Sequence, residues 1–145
     1  MAANIQAVCS SWKVQILQGS QNLNSGGNTL KAALYYQNSG LGAATTAYSA
    51  TGEVSGAGYV AGGATVTNAA SPALSGSTAI WTPSASVSWS GLTIASNFDC
   101  LLLYNSSVSN EAIAVFTFPA QTISSGNLLL TMPANTLGTA LIQVS

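Results

Sequence analysis

The stretch Ser84–Ile94 has the sequence SASVSWSGLTI, and it says more about the fold than any other part of the chain. Apolar residues alternate with serines as far as Trp89. After Gly91 the phase shifts by one position, and Leu92 and Ile94 continue the apolar set. A period of two is that of a β-strand, and one extra residue at a glycine is typical of a β-bulge. The stretch therefore predicts a bent strand with one face in a core and a serine face toward water or a partner.

Similar short segments follow one another along the rest of the chain, with turn residues between them about every ten positions. Two of them, Leu101–Leu103 and Ala112–Phe118, are apolar on both faces, which predicts central strands or strands covered by a second layer or a partner. The pattern predicts a mostly β, single-domain sandwich or barrel of jelly-roll type. The further strand candidates are Thr29–Tyr36, Ala64–Thr67, Ala79–Thr82, Cys100–Asn105, Asn127–Met132 and Ala140–Val144.

The N-terminal segment is the one good helix candidate. Apolar residues from Ile5 to Ile16 recur at helical spacing, Gly19 is placed to end the helix, and Asn4 could cap it. We therefore predict a helix from Ala3 to Gln18; the alternative is a strand over Lys13–Leu17. The length of 145 residues fits one domain, with a helical segment over 1–19 and a β core over 29–145.

Formal charge is almost absent from this sequence. The net charge is −1, there is no histidine or arginine, and the charged side chains are Lys13, Lys31, Glu53, Asp99 and Glu111. An ordinary domain is about one quarter charged, and a net charge near zero favours association. We therefore expect a neutral surface that is either largely covered by other protein or exposed in a setting where non-specific association is tolerated. Two lysines cannot neutralise a phosphate track, so neither nucleic acid nor an acidic membrane surface is an expected partner.

Compartment and cysteine state follow from what the chain lacks. No apolar run approaches the roughly 20 residues of a membrane helix, and the N-terminus has no basic segment followed by an apolar one. We expect synthesis in a reducing cytoplasm. Cys9 and Cys100 could form a disulfide, supply a thiol nucleophile, or be two buried thiols. Because of the compartment and their apolar neighbours, we predict that both are reduced and buried.

The residue inventory argues against catalysis and against a metal site. Without histidine there is no Ser-His-Asp or Cys-His arrangement, and the cysteines and acids are too few for structural zinc. Counting alone leaves open a Ser–Lys dyad on Lys13 or Lys31, a carboxylate pair of Asp99 and Glu111, and a calcium site on Asp99. Solvated lysines and turn carboxylates are the simpler interpretation. We predict no enzyme, no cofactor and no metal.

The glycine-rich segment Gly56–Gly63, GAGYVAGG, invites comparison with a phosphate-binding loop. It lacks the Gly-Lys-Ser/Thr ending of that loop, and no helix-forming segment follows it. We therefore predict that Gly56, Gly58, Gly62 and Gly63 serve turns and bulges, through positive φ angles or close backbone approach.

Two further features have a simple interpretation and a functional one. Trp89 lies on the apolar face of its strand and is expected in the core. Trp81, beside Pro83, is the better candidate for an exposed contact with a glycan. Asn105-Ser106-Ser107 matches a glycosylation acceptor, but without an export signal we interpret the match as chance.

The segments TLKAALYY, TGEVSGAGYVAGG and CLLLYNSS together resemble a family of small structural proteins encoded in the head-gene region of tailed bacteriophages. The resemblance runs from Thr29 to the C-terminus, and its most specific block is Thr51–Gly63. Family members often have acidic residues in the strand before the tryptophan and an arginine near the later strand, whereas these regions here read SASVSWSGLTIASNFDC and keep only Asp99.

The resemblance implies a virion component on the capsid surface, most simply a decoration or cement protein that binds the major capsid protein. It implies a non-enzymatic role and a homo-oligomer, with a trimer as the first expectation and a dimer as the next. The alternative is a head–tail or minor tail or fibre component with a receptor- or glycan-binding role, using Trp81 and tyrosine side chains.

Overall fold

The structure is a computed structural model that describes residues 2–145 and contains two antiparallel sheets with one short helix. The larger sheet has the strand order β1-β7-β6-β2-β3, and the smaller has the order β4-β5-β8. The prediction of a mostly β fold is confirmed, and the two sheets are consistent with a sandwich. The elements are β1 (Ala7–Val8), α1 (Ser10–Leu17), β2 (Leu30–Tyr36), β3 (Ala64–Val66), β4 (Ala73–Ser75), β5 (Thr78–Trp81), β6 (Val87–Asn105), β7 (Glu111–Leu130) and β8 (Ile142–Val144).

The bulge predicted at Ser90-Gly91 is confirmed by the register of β6 against β7. Trp89 lies opposite Leu128 and Leu92 lies opposite Gly126, so β6 advances three residues while β7 advances two. Gly91 has a φ of 65°, which the bulge requires and glycine readily adopts. On both sides of the bulge the apolar side chains stay buried, because the extra residue restores their orientation toward the core.

The long hairpin of β6 and β7 forms the centre of the fold. The candidates that began at Ser84 and Cys100 merge into the 19-residue β6, and those at Ala112 and Asn127 merge into the 20-residue β7. The predicted breaks are wrong because the pairing tolerates register shifts, one of them between Ile94 and Phe98. The doubly apolar segments are central as predicted, and Leu101–Leu103 is buried.

The N-terminal helix is shorter than predicted. It covers only Ser10–Leu17, while Ala7 and Val8 pair with Val115 and Ala114 of β7. The backbone edge of β7 gives these residues hydrogen-bond partners that a longer helix would lose. The alternative of a strand over Lys13–Leu17 is also wrong. Gly19 follows the helix with a φ of 71°, as expected of its terminating residue.

Asn4 is not the cap of the helix. Its side-chain amide donates to Asp99 Oδ1 over 2.7 Å and to the carbonyl of Tyr36 over 3.0 Å, which ties the N-terminal segment to the large sheet. Met1 of the predicted helical segment lies outside the described residues. Within residues 2–145, no helix has the length and apolar character needed to cross a membrane.

Candidate functional site

The best-organised polar site surrounds Glu53, the one acidic residue that is buried, at 9% exposure. Its Oε2 accepts a 2.6 Å hydrogen bond from the hydroxyl of Tyr48. Its Oε1 accepts from the hydroxyl of Tyr59 over 2.8 Å and from the backbone N–H of Gly62 over 2.7 Å. We call these four residues the Glu53 cluster. Three donors directed at one carboxylate offset the cost of removing it from water.

Backbone pairing with β2 places Glu53 at this position. Glu53 forms an isolated bridge with Tyr35, the N–H of Tyr36 donates to Gly52, and the N–H of Val54 donates to Leu34. The chain thus runs along the same edge of β2 that β3 occupies farther on. The loop between Val54 and β3 is held over the sheet by the side chains of Glu53 and Tyr59.

Two more tyrosines complete the surroundings of the cluster. The hydroxyl of Tyr104 donates to the carbonyl of Gly62 over 2.7 Å, and its ring stacks on Tyr48 with centroids 4.8 Å apart. The hydroxyl of Tyr35 donates to the carbonyl of Ser49 over 2.6 Å. With Tyr36, whose hydroxyl hydrogen-bonds to Ser55, all five tyrosines of the chain form hydrogen bonds within or to the segment 48–62.

The tyrosine hydroxyls of this site are donors and not bases. Burial, together with the hydrogen bond to Glu53, raises the pKa of Tyr48 to about 12. Burial also raises the pKa of Tyr59 and of Tyr35 above the ordinary value. All three hydroxyls therefore keep their protons through the neutral range, and the arrangement is that of a structural network.

The glycine-rich segment that leads into Gly62 is shaped by contact with the sheet. The φ angles are 155° at Gly56, 77° at Gly58, 88° at Gly62 and 72° at Gly63, which confirms the prediction of positive φ. A Cβ at Gly56 would collide with the carbonyl of Thr93, and one at Gly63 with the carbonyl of Ala32. Here the absent side chains let the loop backbone approach β6 and β2 closely.

The remaining acids do not form a catalytic pair. Asp99 lies within β6, not in the predicted turn, and accepts from Asn4; Glu111 accepts a 2.9 Å hydrogen bond from Gln21. Glu111 lies opposite Asn105, six positions from Asp99 along β6, which is about 20 Å at strand spacing. No group of three or more potential metal-ligating side chains occurs among the described residues 2–145.

Cys9 and Cys100 are free and buried, as predicted. Burial raises the pKa of the Cys9 thiol to about 11. Burial, with the nearby Asp99 adding to it, raises the pKa of Cys100 to about 12. Protonated thiols sealed from solvent are poor nucleophiles, so the geometry gives no support to a reactive cysteine.

The structure corrects the prediction for Trp81 and supports two others. Trp81 is only 2% exposed, and its indole N–H donates to the carbonyl of Ala70, so it offers no aromatic platform for a glycan. Trp89 is in the core and stacks on Tyr59. Asn105 is fully buried and its amide donates to Gln21 and Asn28, which leaves no accessible glycosylation acceptor.

Two apolar grooves open on the surface. The first, which we call the α1 groove, has a volume of about 280 Å³ and lies between α1 and the small sheet, with Ile16 and Val144 in its lining. The second, of about 290 Å³, lies between the large sheet and the segment after β7, with Phe116 and Met132 in its lining.

Together these features define a small antiparallel β protein with two sheets, whose organised polar site is an internal hydrogen-bond network. No protein-family model, curated protein or solved structure matches the chain. Sequence reasoning named Glu53 as one of the charged residues and missed Tyr48 and Tyr59, the two tyrosines that donate to it. The available signal was a lone glutamate between Tyr48 and Tyr59 in an otherwise uncharged, glycine-rich stretch.

Proposed function

We propose that this protein is a non-enzymatic structural component of a bacteriophage virion, a decoration or cement protein that binds the major capsid protein and stabilises the shell. The resemblance of Thr51–Gly63 and its flanking strands supports this role. The observation that carries the proposal is that the folded surface has few charged side chains and several large apolar side chains that are exposed.

Charged side chains are sparse on the accessible surface of the protein. Four of the five charged side chains reach an accessible surface of 6905 Å², about one per 1,700 Å², while one partner in a standard interface contributes about 800 Å². Glu53 is buried, and Asp99 and Glu111 already accept hydrogen bonds from amides. A typical contact patch on this protein therefore contains no free charge.

Apolar side chains supply the attraction that charges do not. Burial of apolar surface contributes about 25 cal/mol per Å², so each 100 Å² covered by a partner is worth about 2.5 kcal/mol before association costs. Repetition over a capsid lattice then raises the apparent affinity. The exposed large apolar residues are Ile5, Val14, Leu17, Val60, Leu74, Leu129, Leu137 and Val144.

The Glu53 cluster fixes the shape of Thr51–Gly63, the segment in which the resemblance is most specific. Val60 is 75% exposed and lies between Tyr59 and Gly62, both of which are held by the carboxylate. A loop fixed before binding loses little entropy on association. We therefore place a contact with the shell at Val60 and its neighbours in the glycine-rich segment.

The test is to add the purified protein to capsids assembled from the major capsid protein and to count bound copies. Hundreds of copies per particle, with a rise in the temperature at which shells burst, are expected. Val60→Asp should weaken binding more than Leu137→Asp, the matched change at an exposed apolar position outside the glycine-rich segment. A handful of copies, or no shell binding combined with binding to a host glycan, would replace this proposal with the tail or receptor-binding alternative.

A further inference from the structure

We propose that the free edge of β8 pairs antiparallel with the same edge of a second copy, joining two small sheets into one six-stranded sheet. This inference concerns self-association. It does not depend on any role in a virion.

The outer edge of β8 has no partner within the described chain. β8 is the last strand of the order β4-β5-β8, with Ile142, Gln143 and Val144 opposite Trp81, Ile80 and Ala79. Within residues 2–145, the backbone hydrogen bonds of β8 all go to β5. The outward N–H and C=O groups form a template for another strand.

The other sheet edges are less suited to pairing. The outer side of β1 is flanked by backbone bonds from Ile5 to Leu41 and from Ser10 to Ala43. On β7, Pro119 and the positive φ of 51° at Ser125 interrupt the edge beyond β1. β4 directly follows Pro72, and β3 carries no exposed large apolar side chain.

Apolar surface lies directly beside the β8 edge. Val144 is 43% exposed, and Ile142 and Val144 line the α1 groove together with Ile16. The next residue of α1, Leu17, is 88% exposed. A pair of three-residue strands alone is far below the roughly 1,200 Å² of a stable interface, so covering this apolar surface must supply most of the association energy.

The absence of charge favours a second copy over an unrelated chain. About a two-fold axis each residue near the centre meets its own copy, so any charge there would face a like charge. The strands β4, β5 and β8 contain no charged residue, and neither does the lining of the α1 groove. An antiparallel strand pair is also the arrangement that a two-fold axis produces.

The experiment measures molar mass by light scattering at several concentrations for the intact protein and two variants. The wild-type protein should be a dimer, and Val144→Lys should weaken dimerisation at least about tenfold because it removes apolar surface from the interface and adds like charges near the axis. Leu74→Lys, at a position 75% exposed on the opposite edge of the same sheet, should leave the dimer unchanged. Mixing Val144→Lys with Val144→Glu protein should restore association.

Circular dichroism melts should show that both lysine variants remain folded. A wild-type protein that stays monomeric overturns the proposal. So does a trimeric mass, because two-fold strand pairing cannot close a ring of three, and so does a folded Val144→Lys variant that dimerises as well as the wild type.

Discussion

The hydroxyl of Tyr59 donates a 2.8 Å hydrogen bond to Oε1 of Glu53. The same hydroxyl accepts a 2.9 Å hydrogen bond from the backbone N–H of Leu34 on β2. One oxygen thus connects the glycine-rich loop, the buried carboxylate and the large sheet.

Replacing Tyr59 by phenylalanine should cost about 1–3 kcal/mol of unfolding free energy, because the N–H of Leu34 and one carboxylate acceptor both lose their partner. Tyr36→Phe is the matched control, since its hydroxyl bonds with Ser55 are exposed, and a smaller loss is expected. Urea unfolding of both variants measures the difference. Equal losses would contradict the special position of Tyr59.

Glu53→Gln should destabilise the protein by about 1.5–3 kcal/mol, because hydrogen bonds to a charged acceptor are stronger than those to a neutral one. In addition, the N–H groups of the glutamine amide would face groups that are themselves hydrogen-bond donors. Glu111→Gln removes a half-buried carboxylate that accepts from Gln21, and a loss of about 0–1 kcal/mol is expected there. Chemical denaturation compares the two. A fully stable Glu53→Gln protein would show that the carboxylate is dispensable.

Gly63→Ala should cost well over about 1 kcal/mol, since it combines a positive φ with a collision against the carbonyl of Ala32. Gly76→Ala isolates the φ contribution, because Gly76 has a φ of 62° but open space around its Cα, and about 1 kcal/mol is expected. Thermal unfolding tests this order. If the Gly63 variant kept its stability but lost binding to a nucleotide or phosphate, the structural interpretation would fail.

Thiol reagents should find no reactive cysteine in the native protein at neutral pH and two after denaturation, since Cys9 and Cys100 are free and buried. Their pKa values are raised in the folded state, so the folded state holds these protons more tightly than the unfolded one. Their contribution to stability is complete below about pH 9 and is lost as the pH rises toward 11 and 12. A Cys9→Ala, Cys100→Ala double variant should lose less stability over that alkaline range. A disulfide in freshly isolated protein would contradict the prediction.

Self-association and capsid binding should change little between low and physiological salt. With about one charged side chain per 1,700 Å² of surface, long-range electrostatics can steer these contacts only slightly, and added salt has little charge to screen. Sedimentation and particle-binding assays at two salt concentrations measure this. A steep loss of binding with added salt would show that Lys13, Lys31 or the acids dominate an interface.

Features that depend on local period were predictable from the sequence. Alternation around Trp89 and the phase change at Gly91 identified a bulged strand, because side chains in a strand must alternate between two faces and only an inserted residue restores the face. Glycines that need positive φ were predictable for the same local reason. The near absence of charge was also evident from the amino-acid composition alone.

Tertiary structure decided the features that depend on which backbone lies nearby. Ala7 and Val8 became a strand because the edge of β7 was available. Trp81 was buried because it joins the hydrophobic core, where its indole N–H finds the carbonyl of Ala70. The Glu53 cluster required Tyr48, Tyr59 and Gly62 to converge through the pairing of Glu53 with Tyr35. A sequence specifies local conformational preference, whereas the burial of a carboxylate depends on donors that only the folded chain brings within hydrogen-bond distance.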